Sequence, residues 1–212
     1  MVEHTIPGAD EKLYISADDY MEKYAEHYFE WVNGELIKNM PGTLLHTLLI
    51  AFVAKLLDAY FAFNSGGGRV IQQPFVMRLD SIPARREPDI QVVLNTNPGQ
   101  LTETYMHGAA DLCVEIVSPE SGERDYVEKV DEYQAAGVRE YWIFDPQRKF
   151  HRFYRLNERG LYDLVHPDTD GVYSTPLLPK FRLHVPTLWN DPLPDFIGIY
   201  RLAQAMFADA EQ

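Results

Sequence analysis

Glu87-Pro88-Asp89-Ile90-Gln91-Val92-Val93 and, after a polar loop, Asp111-Leu112-Cys113-Val114-Glu115-Ile116-Val117 are the two stretches whose reading decides the fold. Both carry apolar runs rich in β-branched residues, with Asp89 at the head of the first run and Glu115 inside the second. Proline before Asp89 can start a strand without losing a ladder hydrogen bond. Side chains alternate along a strand, so Asp89, Gln91 and Val93 share one face, and Ile90, Val92 and Leu94 the other. By the same rule Glu115 shares a face with Cys113 and Val117, while Leu112, Val114 and Ile116 point the opposite way. Strands apolar on both faces belong in the middle of a covered sheet.

The flanking sequence supplies the cover. Leu44 to Phe63 predicts a long helix, bounded by Pro41-Gly42 and by Ser65-Gly66-Gly67-Gly68. Arg69 to Leu79 predicts a strand, and Glu123 to Ala136 a helix ended by Gly137. Val138 to Phe144 predicts a further strand. Asn33-Gly34 between Tyr28–Val32 and Glu35–Lys38 is a two-residue hairpin signal, and Ser16 caps a helix expected over Ala17 to His27. A second hairpin joins Phe150–Leu156 to Leu161–His166, and a last short helix is expected near Phe196 to Phe207. Strands alternating with helices around an apolar centre give an α/β (α+β) fold. One domain over residues 1–212 is expected, with a core from about 15 to 156 and a hairpin plus extension from 157 onward.

Composition narrows the function classes. No apolar run approaches the ~20 residues that cross a bilayer; Leu44–Phe63, broken by His46, Lys55 and Asp58, reads as a buried amphipathic helix. The stretch from Met1 to Lys12 has no basic start followed by an apolar segment. A single cysteine, Cys113, excludes an internal disulfide and a thiolate zinc cluster within the chain, and a cytoplasmic location is expected. Cys113 has no evident histidine partner and no serine sits in a nucleophile-elbow pattern, which disfavours a serine or cysteine hydrolase. The net charge of −13, from 19 Lys+Arg against 32 Asp+Glu, works against a broad attraction to nucleic acid. A local basic face built from Arg85-Arg86, Arg124, Lys129 and Arg148-Lys149 could offset it.

The chemistry rests on the two strand acids. An unpaired charge at Glu115 is costly inside an apolar strand, and a divalent cation shared with Asp89 relieves it. Hard carboxylate oxygens suit Mg²⁺ or Mn²⁺. The residues alone leave open that Asp89 ends a loop in solvent while Glu115 pairs with an arginine. Asp125, Lys129 and Tyr133 follow at four-residue steps along one helical stripe. Either they form a solvated pair with a packed tyrosine, or the lysine projects back toward the acids to hold a phosphate. Gln91, on the Asp89 face, could hydrogen-bond at the edge of such a site. His46 could be a ligand or proton carrier, though a lone histidine beside apolar residues is more often a packing residue.

At this point the residues resemble the PD-(D/E)XK nucleases and, more narrowly, the Uma-type restriction endonuclease family. The matching stretches are Asn33-Gly34-Glu35-Leu36-Ile37, Glu87-Pro88-Asp89-Ile90, Val114-Glu115-Ile116-Val117-Ser118-Pro119, Asp125 with Lys129, and Ala136-Gly137-Val138-Arg139-Glu140-Tyr141-Trp142-Ile143-Phe144-Asp145-Pro146. The resemblance implies a mixed central sheet flanked by helices, Mg²⁺-dependent hydrolysis of DNA phosphodiester bonds, and room for a homodimer. Asp89 and Glu115 would be metal ligands and Lys129 the third catalytic residue, with Asp125 positioning it and Glu35 as an extra ligand. Glu35 could equally be a hairpin glutamate pointing into water. The signature places a lysine two residues after the glutamate. Here that position is Val117, so Lys129 is the expected replacement. The same departure, with the acidity, is what a non-catalytic module binding nucleic acid or protein would show.

Overall fold

The structure, a computed structural model, describes residues 13–208 apart from Glu26, Met40, Pro41 and Glu120; the expected break at Pro41 lies outside the described residues. Strand β1 (Leu13–Tyr14) and helix α1 (Ala17–Lys23) precede the hairpin of β2 (Phe29–Val32) and β3 (Glu35–Lys38). Helix α2 (Leu44–Phe63) leads to β4 (Gly68–Gln72), β5 (Val76–Leu79), β6 (Ala84–Arg86), β7 (Ile90–Leu94), β8 (Gln100–Leu101), β9 (Tyr105–His107) and β10 (Leu112–Ile116). Helix α3 (Lys129–Ala136) connects to β11 (Glu140–Asp145), β12 (Phe150–Leu156) and β13 (Tyr162–Val165). Strands β14 (Val172–Thr175) and β15 (Leu178–His184) and helix α4 (Phe196–Ala205) complete the chain.

The central sheet runs β13-β12-β11-β10-β7-β4, with β10 and β11 parallel and every other pair antiparallel. Alternation sorts its side chains as the sequence implies. Ile90, Val92, Leu112, Val114, Ile116, Trp142 and Phe144 pack with Leu49, Phe52, Val53, Leu56, Leu57 and Tyr60 of α2. Val93, Cys113, Val117, Tyr141 and Ile143 pack on the opposite face with Tyr133 of α3. Since β10 and β11 are parallel, the chain between them crosses over the sheet, and that crossover carries α3. Asp89 and Glu115 have the parity of the α3 face.

Several expectations need correction. Arg69–Leu79 is two strands: β4 lies in the central sheet and β5 in a second sheet ordered β1-β3-β2-β6-β5-β9-β8. Pro74, with no N–H to give a ladder, falls between them. The β14–β15 hairpin lies in the extension that follows β13, where no strand is expected from the sequence. The first helix is shorter than expected, ending at Lys23 with Tyr24 as its cap. Helix α2 is long and apolar enough to cross a membrane by length and composition alone, yet about half of it is buried within the fold. The expected basic face also fails at its centre, because Arg85, Arg86 and Lys129 are all buried.

Candidate active site

Asp89 immediately precedes β7, and Glu115 lies in the last turn of the pleat of β10. These strands are antiparallel, with Ile90 opposite Val114, so the start of one meets the end of the other. Both acids therefore open into one small cleft of about 40 Å³, also lined by Asn39, His46, Gln73, Glu87, Ser121, Arg124, Asp125 and Lys129. That volume admits a few water-sized groups and no more.

Asp89 is held by three neighbours. Its Oδ2 accepts from the backbone N–H of Ile116 at 2.6 Å, and its Oδ1 accepts from Gln73 Nε2 at 2.7 Å. His46 Nε2 stands 3.3 Å from Oδ2. His46 reaches it because Thr43 caps α2, accepting from the His46 N–H at 3.2 Å and fixing the first turn of the helix. Burial pulls the imidazole pKa down, but the hydrogen bond and charge of Asp89 outweigh it and the net shift is upward. The histidine is thus a site residue, not only a packing residue.

Glu115 is bound from α3. Its Oε1 accepts from Lys129 Nζ at 2.7 Å and from Tyr133 Oη at 3.0 Å. Lys129 also lies 3.3 Å from Asp125 Oδ1 and 3.5 Å from Glu30 Oε1. Asp125 is fixed by Ser121 Oγ, which donates to its Oδ2, and by Tyr141 Oη, which donates to its carbonyl at 2.9 Å. The chain enters α3 through a π-helical turn, Arg124–Glu128, in which the Lys129 N–H reaches back five residues to the Arg124 carbonyl. Single π turns inside helices recur at functional sites; this one carries Asp125 and leads directly into Lys129. Burial presses the Lys129 ammonium toward neutrality, but Glu115, Glu30 and Asp125 more than reverse this and keep it charged. Burial raises Glu115 to about 8, with Lys129 opposing and Asp89, Asp125 and Glu30 adding to the rise. Asp125 is raised for the same reasons, burial first.

Two acids that sequence reasoning passed over complete the cluster. Glu30, on β2, is fully buried; its Oε2 meets Arg86 Nη1 at 2.8 Å and its Oε1 accepts from the Glu87 N–H at 3.0 Å. Arg86 is clamped from α3 by Glu132, at 2.7 and 2.8 Å. Burial raises Glu30, but Lys129 and Arg86 overcome it and hold the carboxyl down at about 2. Glu87 is 2% exposed, and among the described residues neither of its carboxylate oxygens has a hydrogen-bond partner of good geometry. Burial, then the charge of Glu30, lift it to about 8, with Lys129 and Asn39 pulling weakly the other way. The signal for Glu30 was present: an acid between Phe29 and Trp31 in a strand obeys the same logic as Glu115. The structure does not bring Glu35 or Gln91 to the cleft. Glu35 sits on β3, one strand further from β6 than Glu30 does. Gln91 is buried and donates to the Phe75 carbonyl at 2.7 Å. Val117 packs in the α3-side core, and the ammonium arrives from Lys129 instead.

The donor set can be tested against a cation. Four carboxylates and two cationic side chains line the cleft, leaving two negative charges in excess once all four acids are ionised and His46 is neutral. As the side chains stand, no three His, Cys, Asp or Glu among the described residues are arranged to hold an ion. Lys129 occupies one oxygen of Glu115, and the Glu87 oxygens meet no well-formed hydrogen bond among the described residues. Mg²⁺ needs only one or two carboxylates and keeps several waters, so an oxygen-only set with unspent acceptor oxygens fits it.

A mixed sheet with paired acids at the meeting ends of two strands, and a lysine brought over by the crossover helix, defines a restriction-endonuclease-like nuclease fold. The chain belongs to the Uma2 family, described as "Putative restriction endonuclease", whose model matches residues 17–186. Its fold is similar to a crystal structure described as "a putative nuclease belonging to DUF820" from Anabaena variabilis ATCC 29413. The TM-score is 0.69 at 15% identity, covering 82% of this chain and 97% of the other. No curated protein matches the chain significantly.

Proposed function

We propose that this chain is a Mg²⁺- or Mn²⁺-dependent endonuclease that hydrolyses DNA phosphodiester bonds at the Asp89–Glu115 cleft. The observation that carries the reading is that both acids line one cleft into which Lys129 projects, 2.7 Å from Glu115. Asp89 and Glu115 would hold the cation, with His46 and Gln73 orienting Asp89. When bound, such an ion lowers the pKa of its water and stabilises charge on the attacked phosphoryl group. Lys129 would shift from Glu115 to a phosphate oxygen, and Asp125 and Glu30 would keep it charged while it does so. Tyr133 would hold Glu115 in place after the lysine leaves.

Substrate must approach from the rim, since the cleft is too small for a nucleotide. The turn after β11 carries Arg148 and Lys149, both exposed. Arg148 lines an adjoining cleft that shares Ser118 with the acidic one. These cations would meet the backbone phosphates, the general source of affinity for DNA. Supercoiled plasmid incubated with Mg²⁺ tests the reading, comparing wild type with Asp89→Ala, Glu115→Ala and Lys129→Ala. Cutting by wild type alone supports it. Equal cutting by all four would trace to a contaminating nuclease, and no cutting by any would favour a binding module on the same fold.

A further inference from the structure

Among the described residues, Glu87 is the acid of the cleft whose carboxylate oxygens make no well-formed hydrogen bond, with only the Asn39 side chain close enough to pull on it by hydrogen bonding. Asp89 spends both oxygens, on Gln73 and on the Ile116 N–H. Glu115 spends Oε1 on Lys129 and Tyr133, and Asp125 spends Oδ2 on Ser121. Glu30, behind them, is consumed by Arg86 and the Glu87 N–H. Glu87 is 98% removed from solvent, judged by its 2% exposure, and both its oxygens are inaccessible and without a good partner among the described residues. A buried carboxylate without a partner is a standing cost to the fold. Nothing in the fold of the described residues explains why that cost is carried.

The backbone around Glu87 is nonetheless held firmly. Its N–H is bonded to Glu30, and Asp89 two residues on is anchored to β10. The side chain can therefore rotate within the cleft without breaking any well-formed hydrogen bond, whereas Asp89 and Asp125 cannot. This matters because no three acids are yet arranged around an ion. A third carboxylate could join an ion only by moving, and Glu87 moves most cheaply.

We infer that Glu87 is a direct carboxylate ligand of an oxygen-preferring divalent cation in this cleft, joining Asp89 and Glu115. The inference rests on the metal-dependent reading above and adds a ligand to it. It assigns to Glu87 the role that Glu35 was expected to fill. Two consequences distinguish a ligand from a structural residue. Removing the carboxyl should weaken the ion, and should leave the metal-free fold as stable as before or more so, because a buried acid without a good partner has gone.

The test is Mn²⁺ titration by calorimetry, with thermal melts in chelator and in Mn²⁺, on wild type, Glu87→Gln, Glu87→Asp and Asp89→Asn. The expected result is Mn²⁺ affinity weakened about tenfold or more in Glu87→Gln, with partial retention in Glu87→Asp. The metal-free melting temperature of Glu87→Gln should equal or exceed wild type while its Mn²⁺-induced rise shrinks. Wild-type affinity in Glu87→Gln, with binding lost in Asp89→Asn, would overturn the inference and leave the metal site standing. No Mn²⁺ binding by wild type would overturn the metal-dependent reading and this ligand together. Lost binding accompanied by a lower metal-free melting temperature in both Glu87 variants would make Glu87 structural and overturn the inference.

Discussion

Replacing Lys129 with methionine keeps the length of the side chain and removes its charge. Lys129 is 3% exposed and stands 2.7, 3.3 and 3.5 Å from Glu115, Asp125 and Glu30. The substitution takes one cation from three buried carboxylates, of which Glu30 keeps Arg86, and breaking one buried pair in this way costs about 3–5 kcal/mol. In a chain of this size each kcal/mol moves the melting temperature by roughly 2–4 °C, so a fall of about 6–20 °C is expected in metal-free buffer. Glu115→Gln should cost much less, because it removes one of the crowded charges and retains an oxygen to accept from Lys129 and Tyr133. The double variant should then lose less than the sum of the singles, the sign of direct coupling. Urea unfolding followed by circular dichroism, across all four corners of the cycle, reads these differences. A loss under about 1 kcal/mol for Lys129→Met, or strict additivity, would show that the lysine is not the charge that balances the cluster.

Three further outcomes follow from the same geometry. In chelator, stability should fall as pH rises from about 4.5 to about 8. Glu115 and Glu87 both have folded pKa values raised to about 8, so the folded chain holds protons that the unfolded chain has released across that window. A urea midpoint that stays flat or rises over the window contradicts the assignment, and Mn²⁺ at pH 8 should offset the loss. Glu35→Gln should leave Mn²⁺ affinity unchanged, since Glu35 does not line the cleft; a tenfold loss by calorimetry would return it to the ligand set. Gly137→Ala should destabilise by about 1–2 kcal/mol, because Gly137 ends α3 at φ +86° with its Cβ position in open space. A neutral effect in thermal melts would mean that the end of α3 relaxes freely.

Much of the scaffold was legible because its signals are local. Asn33 and Gly34 take φ of +50° and +90°, the geometry a two-residue hairpin loop demands. The glycines after Asn64 end α2 as the sequence pattern implies, while Thr43, the cap at its start, is not marked by that pattern. Alternation along β7 and β10 assigned each side chain its face, and so put Asp89 and Glu115 on the side of the Lys129 helix. What escaped was set by long-range partners. Arg86 looks like a surface cation in the chain and is fully buried because Glu30 and Glu132 enclose it. Glu30 and Glu87 become site acids only when the second sheet closes against the first. The π turn at Arg124–Glu128 left no mark in the sequence, though it bears Asp125 and ends against Lys129. His46 read as core because apolar residues surround it in the chain, while its partner, Asp89, is supplied by a distant strand.

The central claim is that Asp89 and Glu115 grip the same cation, and the most direct measurement is anomalous scattering from crystals soaked in Mn²⁺. The account expects a peak in the cleft within coordination distance of both carboxylates, with Lys129 displaced from Glu115. A peak elsewhere on the molecule, or none while Lys129 remains bonded to Glu115, would contradict it.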